Sequence, residues 1–188
     1  MRKPPGYDEA EAYTGEYNGP GPLPAGLYVC RIMHAVEEIK NGKRFLVIGF
    51  DIVEGDYAGY YKAAYDMDNR PDKKWRGKHY QGIEKKDGTC NEWFKGMITS
   101  IEESNPGYKW NWDENTLKGK KFGAIMRREE YEQGKFATKV YQVRSIEGLK
   151  NATIPEDRLL SDASAGHTEQ PMPPTGPTPT DADFPANW

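Results

Sequence analysis

Asn41-Gly42 lies between two runs of alternating apolar residues. This dipeptide supplies positive φ at both central positions of a two-residue hairpin turn, whose twist matches that of the strands it joins. The chain is thereby committed to antiparallel β-structure. Upstream, Tyr28, Cys30 and Ile32 alternate with Val29 and Arg31, and the run extends to Ile39. The alternation fades after Ile32, as it does in a bulged strand. Downstream, Leu46, Ile48, Phe50 and Ile52 share one face and Asp51 takes the other. Glu54-Gly55-Asp56 makes the next turn. A third strand is expected from Tyr57 to Tyr65, with Tyr57, Tyr61 and Tyr65 on one phase.

The alternation is lost over residues 66–90, a stretch crowded with charge that also holds Trp75 and Tyr80. A structureless insert of that length is functional or disordered, and the expectation is a mobile flap. A helix follows over 92–104, capped by Asn91 and stopped by Asn105-Pro106-Gly107. Trp93, Met97 and Ile101, with Phe94 and Ile98 beside them, form its apolar stripe. Strands Lys121–Tyr131 and Phe136–Ile146 then flank a Gln133-Gly134 turn. The expected class is all-β with one helix. Three strands, a helix and two strands is the order of the OB-fold, a five-stranded Greek-key barrel that binds oligonucleotides. The domain is expected over 27–158, with an N-terminal extension over 1–26.

Residues 159–188 form a tail, and from Ser161 onward it contains six prolines and no Val, Ile or Leu. Such a segment buries too little apolar surface to offset its ordering entropy and is expected to be disordered. Charge follows the same division. The net charge of −3 combines acidic ends with a mildly basic middle, where 24 basic side chains face 21 acidic ones. No apolar run approaches the ~18 residues of a membrane span. No secretory h-region is present, so Cys30 and Cys90 are expected to be reduced thiols in a cytoplasm.

Single strands of nucleic acid require cations along a groove and flat rings on which bases stack. Both are interleaved here, and the candidates are Tyr61, Tyr65, Trp75, Lys78, Tyr80, Arg127, Arg128, Lys139 and Tyr141. Arg127 and Arg128 are consecutive, so one faces outward and the other pairs near the barrel. The tail ends with Asp181, Asp183, Phe184 and Trp188, acids beside exposed aromatics, a pattern suited to docking in a basic partner pocket. Competing chemistries are weaker. Cys30 and His34 share a strand phase, but two side chains do not make a tetrahedral metal site. Asp66, Asp68 and Asp72 could hold Mg²⁺ for a nuclease, yet Lys73, Lys74 and Arg76 make them a solvated loop. Neither a phosphate-binding loop nor a dinucleotide fingerprint is present. No catalytic residue, cofactor or metal is expected. The alternative function is an adaptor that binds replication or recombination proteins and no DNA.

The segments LPAGLYVCRIMHAVEE, EGDYAGYYKAAYD, FKGMITSIEESNPGYKWNWDENTLKGKKFGAIMRREEY and ATKVYQVRSIE resemble a family of small single-stranded DNA-binding-like proteins from phages and conjugative elements of Gram-positive bacteria. The resemblance covers about residues 1–160. It implies an OB-fold, single-stranded DNA as ligand, replication or recombination proteins as partners of the tail, and leaves a homo-oligomer open. The family's acidic tip is matched in character by Asp181, Asp183, Phe184 and Pro185, but Ala186-Asn187-Trp188 follow where that tip stops.

Overall fold

The computed structural model describes residues 2–8, 19–70 and 72–163. Its first hairpin joins β1 (Gly26–Lys40) to β2 (Lys43–Ile52). Asn41 and Gly42 take φ of 51° and 73°, the left-handed pair that this turn demands. A bulge interrupts the pairing between Ile32 and His34. Before it, Cys30 and Ile32 point into the core; after it, Ala35 does. The bulge separates His34 from the phase of Cys30, so the two do not share a face as the alternation predicts.

The third strand differs from the expectation. Tyr60–Asp66 is a helix, α1, and the strand is β3 (Lys78–Gly82), which lies inside the supposed insert and pairs antiparallel with β2. The N-cap of α1 is Gly59, which has no side chain to offer. Asp51, reaching across from β2, takes that part. Its carboxylate accepts from the N–H groups of Tyr61 at 3.0 Å and Lys62 at 3.2 Å. This satisfies orphan donors of the first helical turn.

Helix α2 (Glu92–Ser104) is capped as expected, with Trp93 N donating to Asn91 Oδ1 at 2.9 Å. Phe94, Met97 and Ile101 are buried in the core. Trp93 departs from the predicted stripe and is 41% exposed. A 3-10 turn at Glu114–Leu117 leads to β4 (Lys121–Glu132), and a tight turn leads to β5 (Lys135–Arg144). A second 3-10 turn spans Glu147–Asn151, and a short helix, α3, spans Leu160–Ala163.

The five strands form one antiparallel sheet in the order β3-β2-β1-β4-β5. It is open, with β3 and β5 at its two edges, rather than a closed barrel. Helix α2 packs against β3, β4 and β5. The main core is built from Phe50, Phe122, Ile32, Ile48, Ile52 and their neighbours. Both cysteines are free, Cys30 buried and Cys90 exposed. Among the described residues no helix is long and apolar enough to cross a membrane.

Candidate nucleic-acid interface

Alternation along β3 sends His79 and Gln81 into the interior and Lys78 and Tyr80 to the opposite face. There Tyr80 lies across from Val47, and Lys78 from Gly49. Tyr80 packs with Phe45, Val47 and Val36 in a small apolar cluster separate from the main core. Lys40, beside the hairpin turn, places Nζ 4.5 Å from the Tyr80 ring centroid. The same Nζ is 2.9 Å from a Glu38 carboxylate oxygen. Arg44 pins the hairpin to the end of β3, bonding Glu37 at 2.6 Å and Glu84 at 2.5 Å. The bidentate contact holds the Glu37 carboxyl below its ordinary range.

A second group lies on β4 and β5. Arg127 is buried, stacks 4.6 Å from the Tyr141 centroid, and bonds Glu129 at 3.2 Å. Lys139 Nζ lies 3.5 Å from the same Glu129 carboxylate. Arg128 points the other way, is exposed, pairs with Asp157 and sits 5.0 Å from the Phe136 ring. The two consecutive arginines therefore divide as strand geometry requires. The guanidinium of Arg128 lowers the Asp157 pKa through hydrogen bonding.

Three of the predicted residues lie elsewhere. Trp75 is 4% exposed, and its Nε1–H donates to the Phe50 carbonyl at 3.1 Å. It is a core residue and not the surface of a flap, because the stretch around it folds along β2 instead of leaving the domain. Tyr61 is buried against Phe50, with ring centroids 5.4 Å apart. Tyr65, half-buried, rests on Trp75 at 5.7 Å and carries Lys73 Nζ at 4.5 Å. Two of the three carboxylates weighed for Mg²⁺, Asp66 and Asp68, are engaged by cations. Asp66 meets Lys62 at 2.6 Å. Asp68 is held by Arg70 and Arg76, and its pKa falls to about 2, mainly through the Arg70 hydrogen bond. Asp181, Asp183, Phe184 and Trp188 lie outside the described residues.

The structure thus brings Lys78 and Tyr80 together on one face, and Arg127, Lys139 and Tyr141 on another strand pair. It adds Lys40, Phe45 and Val47 to the first group. The unbroken apolar run Phe45–Ile48 is the signal for them, since a strand covered on both faces reads as continuous rather than alternating. Cation–ring pairs recur: Lys40 on Tyr80, Lys73 on Tyr65, Lys120 on Tyr108, Arg127 on Tyr141 and Arg128 on Phe136. Their ordinary density is about one per 70–80 residues, so these pairs are enriched. No family model matches the chain, and no curated protein sequence matches it.

Proposed function

We propose that this chain is a non-catalytic single-stranded DNA-binding protein of OB type, acting in replication or recombination of a phage or other mobile element. The observation that carries the reading is the Lys40–Tyr80 cation–ring pair on the face of β2 and β3 turned away from the main core, next to the first hairpin loop. In OB-folds that face and the 1–2 and 4–5 loops are where oligonucleotides lie. The strand order, with a helix between the third and fourth strands, supports the same fold, and Arg128 and Lys139 lie on the two strands joined by the 4–5 loop. The resemblance of residues 1–160 to phage and conjugative-element proteins points the same way. In this mechanism phosphates take over the lysine that rests on Tyr80, and a base stacks against the ring.

The test is a titration of labelled single-stranded and duplex oligonucleotides across a salt series. Binding should favour single strands with little sequence preference and weaken steeply with salt, by a log–log slope of about −0.7 per neutralised phosphate. Tyr80→Ala should weaken binding by ~1–3 kcal/mol, the value of one stacked base. Lys40→Gln should lower the salt slope by about one contact. Equal affinity for duplex, or indifference to salt, would overturn the proposal in favour of a protein–protein adaptor.

A further inference from the structure

The loop between α2 and β4 carries an aromatic pair that the Tyr80 face does not use. Trp110 packs edge-on against Phe94 of α2, with centroids 5.7 Å apart and rings at 76°, which ties it to the core. Its backbone N–H donates to Glu102 at 3.0 Å, and its Nε1–H donates to the Asp113 carbonyl at 3.2 Å. Trp112 rests on Trp110 at 4.7 Å with the rings tilted 40°. It is 76% exposed, an unusual position for the costliest side chain to leave in water. Its backbone is held at φ 69°, a left-handed conformation that is strained for a bulky residue and that persists only where the surroundings impose it. One indole is thus fixed by the Phe94 ring and the Asp113 carbonyl, and a second is presented on top of it.

We propose that the exposed face of Trp112 is a second base-stacking station for single-stranded nucleic acid, flanking the Tyr80 face. This inference rests on the single-strand-binding reading above. Position supports it. Gly119 N donates to Ile32 O at 2.7 Å, and Ile32 N donates to Lys120 O at 2.9 Å. The 3-10 turn after Trp112 therefore packs along β1, and β1 continues from Ile32 to Val36 and Lys40 of the first station. Charge supports a nucleic acid over an apolar protein partner. Residues 105–121 carry Lys109, Lys118, Lys120 and Lys121; Lys109 pairs with Glu102 at 2.7 Å and Lys121 with Glu54 at 2.9 Å, which leaves Lys118 and Lys120 as the cations offered to a phosphate. Lys109 and Lys118 are exposed, and Lys120 lies 4.4 Å from the Tyr108 ring. The immediate neighbours of Trp112 are exposed Asn111 and Asp113, a polar rim rather than the apolar groove in which a protein hot spot is seated. A flat ring with a polar rim, and Lys118 and Lys120 on the same loop, fits a base and its phosphates.

The experiment compares the full chain with its Trp112→Ala and Trp112→Phe variants for binding to a labelled oligothymidylate long enough to span both stations. Removing the ring should weaken binding by ~5- to 150-fold. The salt slope should not change, because no phosphate contact is lost. Trp112→Phe should recover most of the affinity, and the melting temperature of both variants should stay near that of the parent, because the ring is exposed. Unchanged affinity in Trp112→Ala, with the parent binding and Tyr80→Ala weakened, would overturn this station and leave the proposed function standing. Absence of binding by the parent chain would overturn both.

Discussion

Trp75 shows how a side chain's neighbours in sequence can misdescribe its neighbours in space. It is surrounded by Lys73, Lys74, Arg76 and Lys78, and these charges read as a solvated loop. Arg76 is exposed and Lys73 lies over the Tyr65 ring, while the indole between them turns inward and finds the Phe50 carbonyl. Composition averaged over a window cannot register one inward residue in a charged run. Trp75→Ala should therefore cost ~3–5 kcal/mol in a urea unfolding titration, the range for truncating a buried aromatic. A loss below about 1 kcal/mol would return Trp75 to the surface. His79, two residues before Gln81 on the inward face of β3, makes a second prediction at this scale. Burial lowers its pKa to about 4 from 6.5, outweighing the hydrogen bond to Gln81 that acts in the opposite direction. The folded state therefore binds fewer protons than the unfolded chain across that interval. Stability from this residue is complete above about pH 6.5 and is lost as pH falls toward about 4, on the order of 3 kcal/mol in full. His79→Gln should flatten the decline measured between about pH 7 and pH 5; an identical decline in the variant would assign it to other groups.

Among the elements, α1 is the instructive error. Tyr57, Tyr61 and Tyr65 recur every four residues, a spacing that satisfies a strand's period of two and a helix's stripe alike. The residues between them decide the case, since Ala63 and Ala64 favour helix. The helix 92–104 was legible because its stripe uses spacings of three as well as four, which no strand reproduces. The first hairpin was legible because Asn-Gly admits few alternatives. The segment that returns from α1 to β3 depends on Gly77, where a Cβ would sit 2.3 Å from the Phe50 carbonyl oxygen and 2.8 Å from the Tyr61 ring. Backbone and core ring cannot both yield, so Gly77→Ala should destabilise by ~1–3 kcal/mol or more. Gly96 provides the opposite case. It lies exposed within α2 with nothing within 4 Å of its added Cβ. Gly96→Ala should stabilise by ~1 kcal/mol, the difference in helix propensity. Thermal melts of the two variants should move in opposite directions; movement the same way would mean that the tight contact at Gly77 is relieved elsewhere.

In the molecule as a whole, the first and last hairpins and the place of α2 follow from periodicity, while the third strand and the arrangement of edges do not. Whether β3 meets β5 depends on twist, strand length and what α2 leaves uncovered, and a residue pattern encodes none of these directly. The site is legible to a similar depth. Cations and rings interleave in the sequence, but which of them reach a common face follows from the register of β2 with β3 and of β4 with β5. Charge, by contrast, is fully given by the sequence and acts over the whole molecule. Truncation after Ala163 removes Glu169, Asp181 and Asp183 and no lysine or arginine, taking the net charge from −3 to 0. Among the described residues the buried hydrophobic side chains run from Leu23 to Leu149, all of which the truncation keeps, so the melting temperature should not change. On the proposed function, three carboxylates tethered to the domain repel an incoming phosphate backbone and compete with it for Lys40 and Arg128. Without them, single-strand affinity should rise, most at low salt, where the Debye length is about 30 Å, and the two proteins should converge as salt shortens it to about 8 Å. Binding titrations of the full and truncated chains at low and at physiological ionic strength measure the difference. Weaker binding after truncation at both salts would make the tail a contributor to the nucleic-acid surface rather than its competitor, and the assignment of Asp181, Asp183, Phe184 and Trp188 to a protein partner would have to be given up.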